Sequence, residues 1–235
     1  MTDLEMIDSQ YEDICQDNLI STYKMQKFIE QELNKGIISE EDYNRLKEKV
    51  LVCHQKMRMM FYSRSEVLKI LNNFEVTQNM DFPCLFGLER TKILFYTESL
   101  VLLARSALDV SAYLFSHFCL KKRKDSFNDF SKVILSGKED FCELYNYFLT
   151  QYDNDLSIYR LLCGSEKGRA LRDIIAHQTN IKLEYFEYKE NLEKERLFVI
   201  IDKVPYDYRG FLKCFCDEVE LMLLNIITII AGENS

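Results

Sequence analysis

The segment 168–177 contains residue types that can carry out acid–base and phosphate chemistry. Arg172, Asp173 and His177 lie within six residues of each other, and His177 is one of three histidines in the chain. Apolar residues recur beside them at helical spacing, which predicts a helix with one buried stripe: Leu171, Ile174 and Ile175. On such a helix Asp173 and His177 are four residues apart and share a face, whereas Arg172 and His177 are about 140° apart around the axis.

An arginine and a histidine together suit the cleavage of RNA. RNA carries a 2′-hydroxyl beside each phosphodiester, and this hydroxyl is an internal nucleophile. The pKa of histidine lies near neutrality, so His177 is predicted to be the general acid or base. The guanidinium of Arg172 donates to two oxygens at once, so it is predicted to stabilise the phosphorane transition state. The expected chemistry uses no metal ion or other cofactor.

Neighbouring residues are predicted to position these two groups and the substrate. Asp173 would orient the imidazole of His177 or hold Arg172 in place. Lys167 and Arg169 carry positive charge on the same segment and are predicted to bind the RNA backbone. The sequence therefore predicts a site made of catalytic groups and substrate-binding cations within about one short helix and the loop before it.

Two stretches resemble the HEPN superfamily, which consists of helical ribonucleases and their inactive relatives. Arg172-Asp-Ile-Ile-Ala-His177 is similar to the Arg-x4-His signature of that superfamily. Upstream, Glu98-Ser-Leu-Val-Leu-Leu-Ala-Arg105-Ser-Ala-Leu-Asp109 is similar to an earlier helix of such domains, which often carries an Arg-Ser-x-Leu-Asp run. The order of the two helices also agrees with the family, and the resemblance covers roughly residues 88–231.

The resemblance implies an assembly and partners. In this family the active cleft is composite, because the Arg/His helices of two subunits face each other. A homodimer of this kind would also remedy the unfavourable angle between Arg172 and His177 within one helix. Such proteins often act as toxins or defence nucleases that have a cognate antitoxin or regulatory protein. RNA, a second copy of the chain and a neutralising protein are therefore the partners that the resemblance implies.

Three charged residues on the upstream helix are expected to support the site. Arg105 and Asp109 are four residues apart and are predicted to pair. A charge on a largely apolar helix usually belongs to a structural pair, which is the favoured interpretation here. Glu98 could instead face the cleft and orient Arg172 or His177.

Three other functions are compatible with the same residues. The first is an inactive HEPN-like module that binds a nucleotide or a protein, which the negative net charge and the few basic residues near the motif favour. The second is a structural helical protein in which Arg172 and Asp173 form a buried pair and His177 caps a helix. The third is a coiled-coil scaffold built on residues 9–72. Exposure of Arg172 and His177 in one cleft would favour an enzyme or a binding module.

Composition limits the class of protein. The chain has 235 residues, is 47% hydrophobic and 13% aromatic, and has a formal charge of −8, which argues against a broad surface for nucleic acid. Its eight cysteines include no CxxC pair, and no signal peptide is recognisable, so reduced thiols in a cytoplasmic protein are expected. No zinc-ligand spacing is visible. The longest apolar run, 221–231, is too short for a membrane span.

The order of predicted elements indicates an all-α protein. Helices are predicted over 9–33, with Gly36 as the C-terminal cap, and from a cap at Ser39 to about residue 72. A break at 77–87 separates a predicted N-terminal helical hairpin, 1–80, from a HEPN-like bundle, 81–235. A long helix at 88–118, shorter helices, a β-hairpin within 181–201 and a last helix at 206–230 follow. The predicted fold is an up-and-down helical bundle with one small β-hairpin insertion before the last helix.

Two further groups allow two interpretations each. The basic run Lys121–Lys124 is either a solvated turn or a phosphate contact. The aromatic residues of the next helices either form core or stack on bases: Tyr145, Tyr147, Phe148, Tyr152 and Tyr159. The structural interpretation is favoured for both groups.

Overall fold

The structure is a computed structural model. It describes residues 2–11, 19–77, 87–137, 141–154, 157–164, 170–171, 175, 182–186, 196–201 and 204–233. The described residues form eight helices and a small sheet, which confirms the predicted all-α class. The helices are α1 (Asp3–Ser9), α2 (Ile20–Asn34), α3 (Glu40–Thr77), α4 (Gly87–Cys119), α5 (Phe127–Leu135), α6 (Cys142–Asp153), α7 (Ile158–Cys163) and α8 (Tyr208–Glu233).

The two longest helices, α3 and α4, pack along each other as an antiparallel pair. Cys53 on α3 contacts the carbonyl of Ala107 on α4, and Tyr62 meets Tyr96 farther along. The facing surfaces are largely apolar, and α4 contributes small residues such as Ala104, Ala107 and Ala112 to the buried part. Buried residues at helical spacing on the two helices include Leu46, Val50, Met57, Met60, Leu100, Ala104, Leu108 and Ala112.

Helices from both predicted parts of the chain share one core. α3 packs on α4, and α2 packs on α8. One cluster of buried side chains contains residues of α2 and α3 as well as of α4 and α8. The predicted boundary near residue 80 falls within 78–86, outside the described residues. In the described part of the chain, no helix has both the length and the apolar character needed to cross a membrane.

The prediction of one helix over 9–33 is wrong at its start. A helix already begins at Asp3, because Thr2 and Glu5 form a capping box in which each side chain accepts a hydrogen bond from the other residue's backbone N–H. That helix ends at Ser9, and the next described helix begins at Ile20. The cap at Gly36 is confirmed, since its φ is 71° and Ile37 donates to the carbonyl of Glu32 at 3.0 Å. Ser39 accepts from the backbone of Asp42 and caps α3, as predicted.

A polar cluster around Asp8 fastens α1 to the bundle. The carboxylate of Asp8 lies 2.6 Å from Nε2 of His54 and accepts hydrogen bonds from Arg58 and from the hydroxyl of Tyr23. Nδ1 of His54 lies 2.7 Å from the hydroxyl of Thr22. A neutral imidazole satisfies both contacts when Nε2 donates to Asp8 and Nδ1 accepts from Thr22. The cluster therefore joins α1, α2 and α3, and its members Thr22, His54 and Arg58 are buried.

The sheet has one strand more than predicted. Strands β1 (Lys182–Phe186) and β2 (Arg196–Ile201) form the predicted antiparallel hairpin. A third strand, β3 (Val204–Asp207), pairs with β2 and places Pro205 at the edge of the sheet, where its missing N–H costs no ladder bond. The last helix consequently begins at Tyr208 rather than at residue 206, and the Asp207 side chain accepts the N–H of Gly210 at 2.8 Å.

Aromatic residues hold α5, α6 and α7 together. Phe148 on α6 contacts Phe127 and Phe130 on α5 and Tyr159 on α7, with ring centres 5.7 to 5.9 Å apart. The Tyr159 hydroxyl donates to Ser131 at 2.9 Å. Phe148 and Tyr159 are thus buried core residues, in agreement with the structural interpretation of this aromatic group.

The Asp8 cluster should make the protein less stable in mild acid. Burial lowers the pKa of His54, so the folded chain holds a neutral imidazole. The unfolded chain takes up a proton at about pH 6.5, and stability is therefore lost as the pH falls below that value. Burial alone would raise the pKa of Asp8, but hydrogen bonds from Arg58 and Tyr23 outweigh it and hold this pKa below its usual value, which adds a loss at still lower pH.

Urea unfolding at a series of pH values between about 7 and 5 measures this dependence. We expect His54→Gln to lower stability at neutral pH and to flatten the pH dependence. Asp3→Asn, which changes another carboxylate on the helix that carries Asp8, should leave the slope unchanged. Equal slopes for His54→Gln and the parent would contradict the role given to His54.

Candidate functional site

The residues predicted to carry the chemistry fall outside the described part of the chain. This applies to Lys167, Arg169, Arg172, Asp173 and His177. Within 165–181 the structure describes Ala170, Leu171 and Ile175. Leu171 is 1% exposed, and Ile175 packs against the core, so the predicted buried stripe is confirmed at these two positions. Ile174 lies outside the described residues.

Arg105 on α4 is the best-connected charged residue near that segment. Its side chain is 6% exposed and forms the predicted pair with Asp109, with 3.0 Å between Nη2 and Oδ1. It also donates to Asn128 on α5 at 2.9 Å. At the end of α7 it contacts the sulfur of Cys163 at 3.1 Å and the carbonyl of Leu162 at 3.5 Å. Arg105 therefore ties α4 to the residues that lead into segment 165–177.

Asp109 has a second role that the sequence did not indicate. Its Oδ1 accepts the backbone N–H of Phe127 at 2.9 Å, at the start of α5. The N-cap residue of α5, Ser126, makes no side-chain cap bond. Asp109 thus caps a neighbouring helix and neutralises Arg105 at the same time.

Glu98 does not join this cluster. It is half-buried on α4, seven residues before Arg105, which corresponds to a rise of about 10 Å along the helix. The residues that it was predicted to orient, Arg172 and His177, lie outside the described part. Its supporting role therefore stays a prediction.

A surface cavity of about 370 Å³ that is open to solvent adjoins the Arg105–Asp109 pair. One face of α4 forms most of its wall, and α3 and the loop after α4 complete it. Apart from the pair, its lining residues are Lys49, Leu102, Ser106, Val110, Tyr113 and Asp125. Sequence analysis missed Lys49, Tyr113 and Asp125, because they belong to different elements and form no local motif.

Arg123 of the basic run is part of the fold. Its guanidinium donates to Asp42 on α3 at 2.6 Å, to the Tyr113 hydroxyl at 2.9 Å and to Nδ1 of His117 at 3.0 Å. The hydrogen bond from Arg123 lowers the pKa of Asp42. Burial, followed by the charge of Arg123, lowers the pKa of His117. Because Lys121 and Lys122 are exposed beside it, the run fits the interpretation as a solvated turn with one anchoring arginine.

Thr22, His54 and Asp8 form a hydrogen-bonded series of a hydroxyl, an imidazole and a carboxylate, the arrangement found in enzymes with a nucleophilic hydroxyl. Thr22 and His54 are 0% exposed, so a substrate has no access to the hydroxyl. This cluster is therefore structural. Among the described residues, no group of three or more His, Cys, Asp or Glu side chains is arranged to hold a metal ion.

Removal of the Arg105 guanidinium should destabilise the fold. Arg105→Met leaves Asn128 and the Leu162 carbonyl without their donor and Asp109 without its counter-charge, which should cost about 3 kcal/mol of unfolding free energy. Arg45→Met is the matched control, since Arg45 pairs with Glu41 on the surface of α3, and it should change stability by less than about 0.5 kcal/mol. Urea denaturation followed by circular dichroism measures both values, and equal losses would contradict the structural role of Arg105.

Comparisons with known proteins leave the family of this chain open. No family model matches it, and no curated protein or solved structure is similar to it at a significant level. The function therefore has to be inferred from the residues themselves, above all from the stretches 98–109 and 172–177 and from the contacts around Arg105.

Proposed function

We propose that this chain is a metal-independent endoribonuclease of the HEPN type, with Arg172 and His177 as its catalytic residues. The observation that carries the proposal is the position of Arg105. This residue of the first family-like stretch binds Leu162 and Cys163, and the second stretch follows within ten residues of Cys163. One buried side chain thus connects the first stretch to α7, and the second stretch follows α7 in the sequence.

The burial of Leu171 and Ile175 supports access of a substrate to the catalytic groups. On the helix predicted for 168–177, successive residues are about 100° apart around the axis. With Leu171 and Ile175 facing the core, Asp173 and His177 would lie on the opposite side, about 200° and 240° from Leu171, and Arg172 would lie on the flank. This arrangement favours an accessible site over a buried Arg172–Asp173 pair.

The proposed reaction is an internal transfer at phosphorus. The 2′-hydroxyl loses its proton to one imidazole while its oxygen bonds to phosphorus, and the bond from phosphorus to the 5′-oxygen breaks as that oxygen gains a proton. In a homodimer with a composite cleft, His177 of one subunit acts beside Arg172 of the other, and the imidazole that takes the proton from the 2′-hydroxyl returns it to the 5′-oxygen. Arg172 stabilises the charge that develops on the phosphorane oxygens. The products are a 2′,3′-cyclic phosphate and a 5′-hydroxyl.

The charge of the chain restricts how RNA would be held. With a net charge of −8, attraction over the whole surface is unfavourable, so binding would depend on local cations such as Lys167 and Arg169. Restricted binding of this kind suits a toxin or defence nuclease in the cytoplasm that a cognate antitoxin or regulatory protein keeps inactive. Asp173 would orient His177 or Arg172, and Glu98 would support them.

Cleavage of RNA in the presence of EDTA tests the proposal. We expect the parent protein to release 2′,3′-cyclic phosphate ends, and we expect Arg172→Ala and His177→Ala each to lower the rate at least about a hundredfold, because each removes a group that acts in the transition state. An RNA with a 2′-deoxy nucleotide at the cleaved position should resist cleavage, because it lacks the 2′-hydroxyl nucleophile. The matched controls are Arg45→Ala, an exposed arginine on α3, and His117→Ala, both of which should keep the activity.

Unchanged rates for Arg172→Ala and His177→Ala would overturn the assignment of the site. A folded dimer that cleaves no RNA would overturn the catalytic proposal and favour a binding module of the same fold.

A mixing experiment tests the composite cleft. Arg172→Ala and His177→Ala proteins, each inactive, are mixed under conditions that exchange subunits. If one cleft takes Arg172 from one subunit and His177 from the other, the mixture should recover a measurable fraction of the parent rate. Absence of recovery in a mixture that forms heterodimers would show that both residues must come from the same subunit.

A further inference from the structure

The cavity beside the Arg105–Asp109 pair is lined by polar groups that the fold does not use. The ammonium of Lys49 lies 5.4 Å from the centre of the Tyr113 ring. In the described part of the chain, neither Lys49 nor Asp125 has an ion-pair partner, and the Ser106 hydroxyl has no hydrogen-bond partner. The Tyr113 hydroxyl accepts from Arg123, so its own hydrogen is left for another acceptor. By contrast, Arg105 and Asp109 are satisfied within the fold.

The charges of the lining indicate a ligand that carries both signs. Arg105 and Asp109 neutralise each other, which leaves one positive group, Lys49, and one negative group, Asp125. A phosphate ester would bring two negative charges next to Asp125, which would repel it. A simple cation would be repelled by Lys49. A zwitterion instead offers a carboxylate to Lys49, which is half-buried, and an ammonium group to Asp125, which is exposed.

The shape and the apolar lining indicate a small molecule with an aliphatic or aromatic part. Leu102 and Val110 supply apolar surface between the polar groups. The volume of about 370 Å³ lies near the lower end of small-molecule pockets, which run from about 300 to 1,000 Å³. The Tyr113 ring is not free to stack on a base, because Lys49 and Arg123 both lie over it, at 5.4 and 5.3 Å from its centre. These features suit an amino acid better than a nucleotide.

We propose that this cavity binds a free amino acid with an apolar side chain. Its carboxylate contacts Lys49 and the hydroxyls of Ser106 and Tyr113, its ammonium contacts Asp125, and its side chain packs on Leu102 and Val110. None of the lining residues is a proposed catalytic residue, so the proposal can be tested independently of the ribonuclease activity. Because Arg105 and Asp109 form part of its wall and also hold α5 and α7, an occupant would contact groups that join three helices of the fold.

Isothermal titration calorimetry of the full chain with each of the twenty standard amino acids tests the proposal. Two analogues of the amino acid that binds most tightly are then titrated: one lacks the ammonium group and the other lacks the carboxylate. We expect an apolar amino acid such as leucine to bind, and we expect each analogue to bind at least about tenfold more weakly, because it leaves one charge of the cavity unpaired.

Two variants assign the ends of the ligand. Lys49→Met should weaken the binding of the amino acid and of the analogue that has only the carboxylate about tenfold. It should leave the binding of the analogue that has only the ammonium group unchanged. Asp125→Asn should weaken the binding of the amino acid and of the analogue that has only the ammonium group, and it should leave the binding of the analogue that has only the carboxylate unchanged. Both variants should fold normally, since neither side chain forms an ion pair within the described residues, and circular dichroism checks this. The matched controls are Lys122→Met and Asp129→Asn, which change exposed residues away from the cavity lining and should bind like the parent.

Three results would overturn the proposal. The first is that none of the twenty amino acids binds. The second is that an amino acid binds but both variants bind it as tightly as the parent. The third is that inorganic phosphate or AMP binds in their place and that Asp125→Asn strengthens this binding, which would make the cavity an anion site.

Discussion

The burial of the Arg105 guanidinium is the constraint on which the arrangement of α4, α5 and α7 depends. An arginine that is 6% exposed has lost its hydration, and a buried charge without partners costs several kcal/mol. The fold therefore has to supply acceptors from three directions: Asp109 on the same helix, Asn128 on α5, and Leu162 and Cys163 on α7. Burial raises the pKa of Cys163 to about 12, so its sulfur meets the guanidinium as a neutral thiol.

Carboxylates that cap a neighbouring helix recur in this molecule. Asp109 caps α5 from α4, and Glu220 on α8 accepts both the backbone N–H and the hydroxyl of Ser21 at the start of α2, each at 2.6 Å. Neither α2 nor α5 has a side-chain cap from its own N-cap residue. Burial raises the pKa of Glu220, and its hydrogen bonds with Ser21 partly offset this rise. These contacts give two helix pairs a defined register, which apolar packing alone specifies less strictly.

Features that depend on local chemistry could be predicted from the sequence, and features that depend on distant partners could not. The Gly36 cap, the Ser39 cap and the Arg105–Asp109 pair follow from residue types at short spacing, and all three are present. The start of the first helix at Asp3 was missed because the Thr2–Glu5 capping box was not recognised as a start signal. The cap from Glu220 and the cavity around Lys49 join residues far apart in the chain, which no spacing rule detects. Arg172, Asp173 and His177 carry the family resemblance, and all three lie outside the described part.

The contact between Ser21 and Glu220 also affects how the chain can fold. These residues are 199 positions apart, and Lys24 and Thr228, which also contact each other, are 204 positions apart. During synthesis α2 leaves the ribosome long before α8 exists, so its first turn has to wait for its cap. Contacts of such high sequence separation carry a large loop-closure entropy and form late. The first turn of α2 is therefore expected to reach its final stability only after α8 has docked.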